Sequence, residues 1–450
     1  MEAGIRKRLE KVSKFMRLTE KDVKILLSYK KVSHAVLDVN GKKYDAWRII
    51  HNNALGPGKG GVRFHPDVSE DEIKLLSFWM SLKTSLMGLP FGGAKGGIKV
   101  NPKELNKNEI EKLSRAYIRA FHDVIGVGKD IPAPDVYTNS QIMAWMLDEY
   151  EKIKGWREPG MITGKPVELG GIAIREDATS QGGYVVLKEF LKNEQNKRLN
   201  KDIQASEKQS SKDLDINNAE QGKKAEDESS ESASVNKNNF KIAIQGFGNA
   251  GMNIAKILFK DGFNVVAVSD SKGGIINHDG LNIEEVVDAK KRLGSVQDYK
   301  KEGVEKISNR DLLELDADLL ILAALENQIT SAEKIKARYI LELANGPISD
   351  DADEKLFERG VVIIPDILAN AGGVVASYFE WWQNKSGRVL DEKELRIKFN
   401  GIMINSFNKV WRLYKKNKGR LSIRDAAYVI AVKRILGKFC RRRLSFSIDN

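Results

Sequence analysis

The stretch that most constrains this chain is FKIAIQGFGNAGMNIAKILFKDGFNVVAVSD, residues 240 to 270. A short apolar run, FKIAIQ, stops at a glycine-rich turn. Helical periodicity then carries MNIAKILFK to Gly262, and a second apolar run, NVVAVSD, follows. Strand, helix, strand in that order closes as a crossover between parallel strands. ADLLILAAL, RYILELA and VVIIPDILA repeat the signal further on, apolar on both faces as buried parallel strands are. The expectation is an α/β chain with a doubly wound sheet.

The turn between the first strand and its helix reads Gly246-Phe247-Gly248-Asn249-Ala250-Gly251, a G-x-G-x-x-G spacing. Its glycines allow a tight turn and let backbone approach a pyrophosphate held at the helix N-terminus, as in a Rossmann-like dinucleotide site. Asp270 ends the next strand, where a carboxylate would accept hydrogen bonds from ribose hydroxyls. That slightly favours NAD, because a carboxylate repels a 2′-phosphate. Ser271 and Lys272 follow directly, so NADP stays open.

Upstream, LPFGGAKGGIKVNP sets Lys95 between two glycine pairs. Lys59 lies in a similar setting, GPGKGGVRF, and Lys83 sits on an apolar helical run opened by Ser69. Asp135, in DIPAPDVYTNS, is the only charge between Ile131 and Leu147. Lysines gathered in a dry cleft lose proton affinity through desolvation and mutual repulsion. Such a lysine can act as a base or steady a developing oxyanion at neutral pH. The plainer alternative is that Lys83 snorkels to water and Lys95 is solvated at a loop tip.

Residues 193–239 lack aromatics and proline and carry charges of both signs, so the segment is expected to be a disordered insertion. The net charge of +12, Lys+Arg 74 against Asp+Glu 62, fits a Lys/Glu-rich surface, and no nucleic-acid partner is expected. No apolar run reaches the ~18–20 residues of a membrane helix. The charged N-terminus is unlike a secretory signal, and the single Cys440 fits a cytoplasmic protein. The five histidines lack metal-ligand spacing, so no metal is expected.

GPGKGGVRFHPDVS, LPFGGAKGGIKVNP, DIPAPDVYTNSQIMAW, IQGFGNAG, AALENQIT, ANGPI and ILANAGGVVASYFEW occur in an order that resembles the glutamate/leucine/phenylalanine/valine dehydrogenase family. The likeness is greatest to its compact hexameric, glutamate-acting members. It implies an α/β substrate domain over 1–175, completed by C-terminal helices over 376–450, and a dinucleotide domain over 176–375. It also implies a homohexamer that converts L-glutamate to 2-oxoglutarate and ammonium.

On this resemblance Lys95 is the catalytic lysine and Asp135 the acid/base at the amino nitrogen. Lys83 binds the α-carboxylate, Gly92 and Gly93 let backbone approach the substrate, and Thr179, Asn345 and Asn370 lie at the cofactor. Lys59 and Ser377 match the pair that reaches the γ-carboxylate, which relatives acting on apolar amino acids replace with apolar residues. The alternatives are such an apolar amino-acid dehydrogenase, or a non-catalytic regulatory protein on the same fold. Ser180 departs from the family's glycine beside Thr179.

Overall fold

The computed structural model describes residues 2–213 and 237–446. Two sheets organise it. The first contains β1 (Lys31–Val39), β2 (Lys42–Asn52), β3 (Gly58–His65), β4 (Gly93–Lys99) and β5 (Asp130–Pro134), in the order β1-β2-β4-β3-β5. β1 and β2 form an antiparallel hairpin, and Asn40 and Gly41 turn it with φ of 56° and 78°, the left-handed pair such a two-residue turn requires.

The second sheet contains β6 (Lys241–Gln245), β7 (Asn264–Asp270), β8 (Gly273–Ile276), β9 (Glu305–Ile307), β10 (Leu319–Leu322), β11 (Tyr339–Glu342) and β12 (Val362–Ile364). Its order is β12-β11-β10-β6-β7-β8-β9. Strands β12, β11, β10, β6 and β7 are parallel, as their apolar runs led us to expect, and β8 and β9 add an antiparallel edge. The chain builds outward from β6 through β7, then returns to start β10 on β6's other side. A crevice opens where the order reverses, and the glycine turn after β6 stands at it.

Three glycines in one short strand, Gly93, Gly96 and Gly97 of β4, need a physical cause. Each costs roughly 0.5–1 kcal/mol against alanine. A Cβ at Gly93 would strike the backbone of Ser81, and one at Gly97 would come within 2.9 Å of Ile73. The bare strand therefore lets the helix Glu70–Leu86 lie directly on the sheet. That helix is capped by Ser69, whose hydroxyl accepts the Glu72 N–H. It is pinned further by buried His51. Nε2 of this ring can only donate to the Leu26 carbonyl, 2.8 Å away, so Nδ1 accepts the Ser81 hydroxyl at 2.7 Å. Helices Lys107–Phe121 and Ser140–Lys154 cover the opposite face of the sheet with Leu113, Phe121, Met143 and Leu147.

The helix Ile423–Phe446 packs against Glu70–Leu86, and Glu392–Lys416 packs against the helix beginning at Ala178. A buried ionic clasp joins distant segments. Arg8 bonds Asp425 at 2.8 Å and Asp353 at 2.6 Å, while Arg424 bonds Glu342 at 2.6 Å.

Part of the segment 193–239, which was expected to be disordered, is helical. The helix from Ala178 runs on to Asp213. Residues 193–213 contain no glycine or proline and are rich in Lys, Gln and Glu, whose helix propensity does not depend on burial. Residues 214–236 lie outside the described residues.

Candidate active site

Lys95 projects from β4 and is almost fully buried. Its ammonium donates to Oδ1 of Asp135 at 2.7 Å, just past the end of β5. The other oxygen, Oδ2, accepts Nε of Arg63 from β3 at 2.8 Å, and Arg63 in turn bonds Glu72 at 2.5 Å. Burial alone would push Asp135 up, but Lys95 and Arg63 outweigh it and hold the carboxyl well below its usual range. Burial draws Lys95 below the ordinary lysine value, with Asp135 opposing and Arg63 adding repulsion. A base and a loosely held proton thus stand in contact.

Lys83 reaches toward the same place from the helix Glu70–Leu86. Its ammonium donates to Oδ1 of Asn370 at 2.6 Å and of Asn345 at 3.3 Å. Both asparagines follow strands of the second sheet, so one lysine links the two halves of the site. Desolvation, with Lys95 repelling, lowers Lys83 to about 8, against the pull of Asp366. Gly92 and Gly93 have packing duties as well as any toward a ligand: a Cβ at Gly92 would strike the Asn52 carbonyl.

A second cluster of polar side chains adjoins β3. Lys59 is buried, and its one hydrogen bond is a 3.4 Å contact to the Ile131 carbonyl. Arg175 donates to the Ser377 hydroxyl, which itself donates to the Gly373 carbonyl at 3.0 Å. Below them lies a fully buried pair, Lys165 with Glu380 at 2.8 Å, and both Glu380 oxygens also accept the Gly164 N–H.

The turn after β6 fits a dinucleotide. Gly246 has φ of +93° and presses against the backbone of Ala323 and Ala324, so no other residue suits it. A Cβ at Gly251 would strike the Gly246 carbonyl. Gly248 differs: a Cβ there would meet nothing within 4 Å, and it caps the helix Asn249–Lys260 without any side-chain acceptor. Free N–H groups at a helix start facing open space are what a pyrophosphate needs. Phe247 is buried in the core, which leaves only its backbone to face a cofactor. Asn249 accepts from the Asn253 side chain at 3.2 Å. Thr179 lies against Gly373, and Ser180 donates to the Ala250 carbonyl at 2.9 Å, so the departure from glycine ties its helix to the turn.

Two family models match this sequence. The one described as Glutamate/Leucine/Phenylalanine/Valine dehydrogenase covers residues 226–442, and the one described as Glu/Leu/Phe/Val dehydrogenase, dimerisation domain, covers residues 28–152. The chain belongs to the glutamate/leucine/phenylalanine/valine dehydrogenase family. It is 41% identical to the NADP-specific glutamate dehydrogenase of Synechocystis, over 96% of this chain and 95% of that one. The catabolic NAD-specific glutamate dehydrogenase RocG of Bacillus subtilis is 42% identical, over 87% and 83%. Among solved structures, the glutamate dehydrogenase of Peptoniphilus asaccharolyticus aligns over 97% of both chains with a TM-score of 0.75 and 33% identity. The hetero-hexameric enzyme of Thermus thermophilus, in its Leu-bound form, aligns over 98% and 97% with a TM-score of 0.81 and 29% identity.

For a member of this dehydrogenase family, the position of Asp270 is unexpected. Its carboxylate already accepts four donors: Lys272 N and Ser295 Oγ on one oxygen, Lys290 Nζ and Val296 N on the other. A carboxylate has about four acceptor sites, so a ribose would have to displace one of these donors to reach it. Asp270 here organises the Gly294–Val296 turn. Sequence reasoning missed Arg63, Arg175, Lys165 and Glu380 altogether. Lys165 carried a signal, a glycine and a proline on either side in TGKP; Arg175, followed by two acids in IREDA, carried none.

Proposed function

We propose that this chain catalyses the reversible oxidative deamination of L-glutamate to 2-oxoglutarate and ammonium, with NAD or NADP as the hydride carrier. The observation that carries the choice of substrate is the pocket of Lys59, Arg175 and Ser377. Its cationic and hydroxyl groups suit a second carboxylate, and an apolar side chain would leave them desolvated and unpaired. The similar proteins named NADP-specific and NAD-specific support either cofactor, and Asp270, with its acceptor sites filled, gives no reason to prefer one.

In this reading, Lys83 exchanges its two asparagine oxygens for the substrate α-carboxylate. Lys95, as the neutral amine, takes a proton from the water that attacks the imino carbon, and Asp135 shuttles protons at the nitrogen. Gly92 and Gly93 border the substrate, and Thr179, Asn345 and Asn370 flank the nicotinamide, which accepts hydride from Cα when bound. The turn from Gly246 to Gly251 presents its N–H groups to the pyrophosphate. The substrate unit spans 1–175 with 376–450, the dinucleotide unit 176–375, and closure between them excludes water. The assembly is a cytoplasmic homohexamer; the Thermus thermophilus relative, a hetero-hexamer, supports six subunits. Among the described residues no helix is long and apolar enough to cross a membrane.

A spectrophotometric assay with glutamate, leucine and both cofactors tests this reading. Turnover of leucine without glutamate would replace it with the apolar amino-acid reading. No turnover of either would point to the regulatory one.

A further inference from the structure

The pocket that would hold the distal carboxylate does not balance its own charge. The charges weighing on Lys59 come from every element packed around it. Arg48 projects from β2 and Asp130 from β5; Lys165 follows the Pro159–Met161 turn, Arg175 ends the segment Ala173–Arg175, and Glu380 lies on the helix Gly372–Ser386. Four cations, counting Lys59, thus stand around the two carboxylates that act on Lys59, Asp130 and Glu380, and Glu151 acts on Lys165. Both carboxylates are already engaged. Asp130 takes two bonds from Arg48, at 2.5 and 2.6 Å, and Glu380 is bonded to Lys165. Lys59 and Arg175 are left without an anion.

Two uncompensated charges in a dry pocket are too costly to keep, and the group able to discharge is the one that gives way. Arginine holds its proton in proteins, whereas a buried lysine releases it. Burial, with Arg175 and Arg48 repelling, draws Lys59 well below the ordinary lysine value, and Glu380 and Asp130 offset this only in part. We infer that Lys59 is a neutral amine in the free protein and takes up a proton when a dicarboxylate places its distal carboxylate between Lys59, Arg175 and Ser377. This rests on the glutamate reading and deepens it. Lys59 becomes cationic only for a ligand that brings the compensating anion, so proton uptake is part of what distinguishes a dicarboxylate from an apolar amino acid.

Calorimetric titration of the full chain with 2-oxoglutarate and with 2-oxobutyrate, in buffers of different ionisation enthalpy near pH 7.5, counts protons for each ligand. Both ligands engage Lys83 and Lys95 alike, so contributions from those groups cancel in the difference. 2-Oxoglutarate should take up about one proton more, by linkage between proton and ligand binding. In Lys59→Met, log Kd for 2-oxoglutarate should rise with pH less steeply than in the parent, by up to tenfold less per pH unit. Equal proton counts in the parent, or an unchanged slope in Lys59→Met, would overturn the inference while leaving the glutamate reading intact. Absence of 2-oxoglutarate binding in the parent would overturn both.

Discussion

The ammonium of Lys95 and the carboxylate of Asp135 are in contact at 2.7 Å, and Arg63 holds the carboxylate's other oxygen. A proton can pass along that line without any group moving. Lys95→Ala should therefore lower kcat by about 10²–10⁴-fold while cofactor still binds, since the glycine turn lies on the other sheet. Lys95→Arg should fail as well, because a guanidinium does not release its proton. Near-parental turnover in either variant would remove Lys95 from the chemistry.

Arg63 touches Asp135 but not the proposed reacting atoms, so its effect should appear in proton affinity. Arg63→Gln removes one of two cations that hold the carboxyl down. The acid limb of the kcat/KM profile should then move to higher pH, by roughly one unit or more. A uniform loss of rate with the limb in place would mean that Arg63 only supports the fold.

Lys83 is lowered to about 8. It is charged below that value, where it can hold a carboxylate, and neutral above it. The KM for glutamate should rise as pH climbs through about 8, with kcat less affected by this group. Lys83→Met should have a high KM at every pH and lose that inflection.

Replacing Lys59 and Ser377 together with Leu and Val should lower glutamate kcat/KM at least about a hundredfold, about 2.7 kcal/mol. Because Arg175 stays in the pocket, activity on leucine should remain poor until Arg175→Leu is added. A double variant within threefold of the parent would place the γ-carboxylate elsewhere.

Asp270→Ala should cost stability before it alters cofactor choice. Four donors lose their acceptor, including the ammonium of Lys290. A fall in Tm with an unchanged ratio of NAD to NADP efficiency is expected. If Tm holds and the ratio moves toward NADP, Asp270 returns to the ribose.

What could be read in the sequence was local. The strand–glycine–helix order around Gly246 is set within a few residues, and it appears in the structure. The glycines flanking Lys95 were visible as a motif, although the Ser81 and Ile73 they make room for lie on the preceding helix. What escaped was set by partners far along the chain. Arg175 gains its meaning from Ser377, 202 residues away, and Lys165 from Glu380, 215 residues away. Asp270 was read from its place after a strand, but Lys290 and Val296, both downstream, decide what its carboxylate does.

The clasp between Arg8 and Asp425 has a consequence for the timing of synthesis. The two residues are 417 positions apart. At about 5–20 residues per second on the ribosome, Arg8 waits roughly 20–80 s before its partner has been made. Asp353 emerges earlier, but Arg424, which also bonds it, does not. The helix bearing Arg8 therefore cannot find its buried seat cotranslationally. It docks late, after the last long helix has formed, and until then its cations are exposed to whatever else the nascent chain encounters.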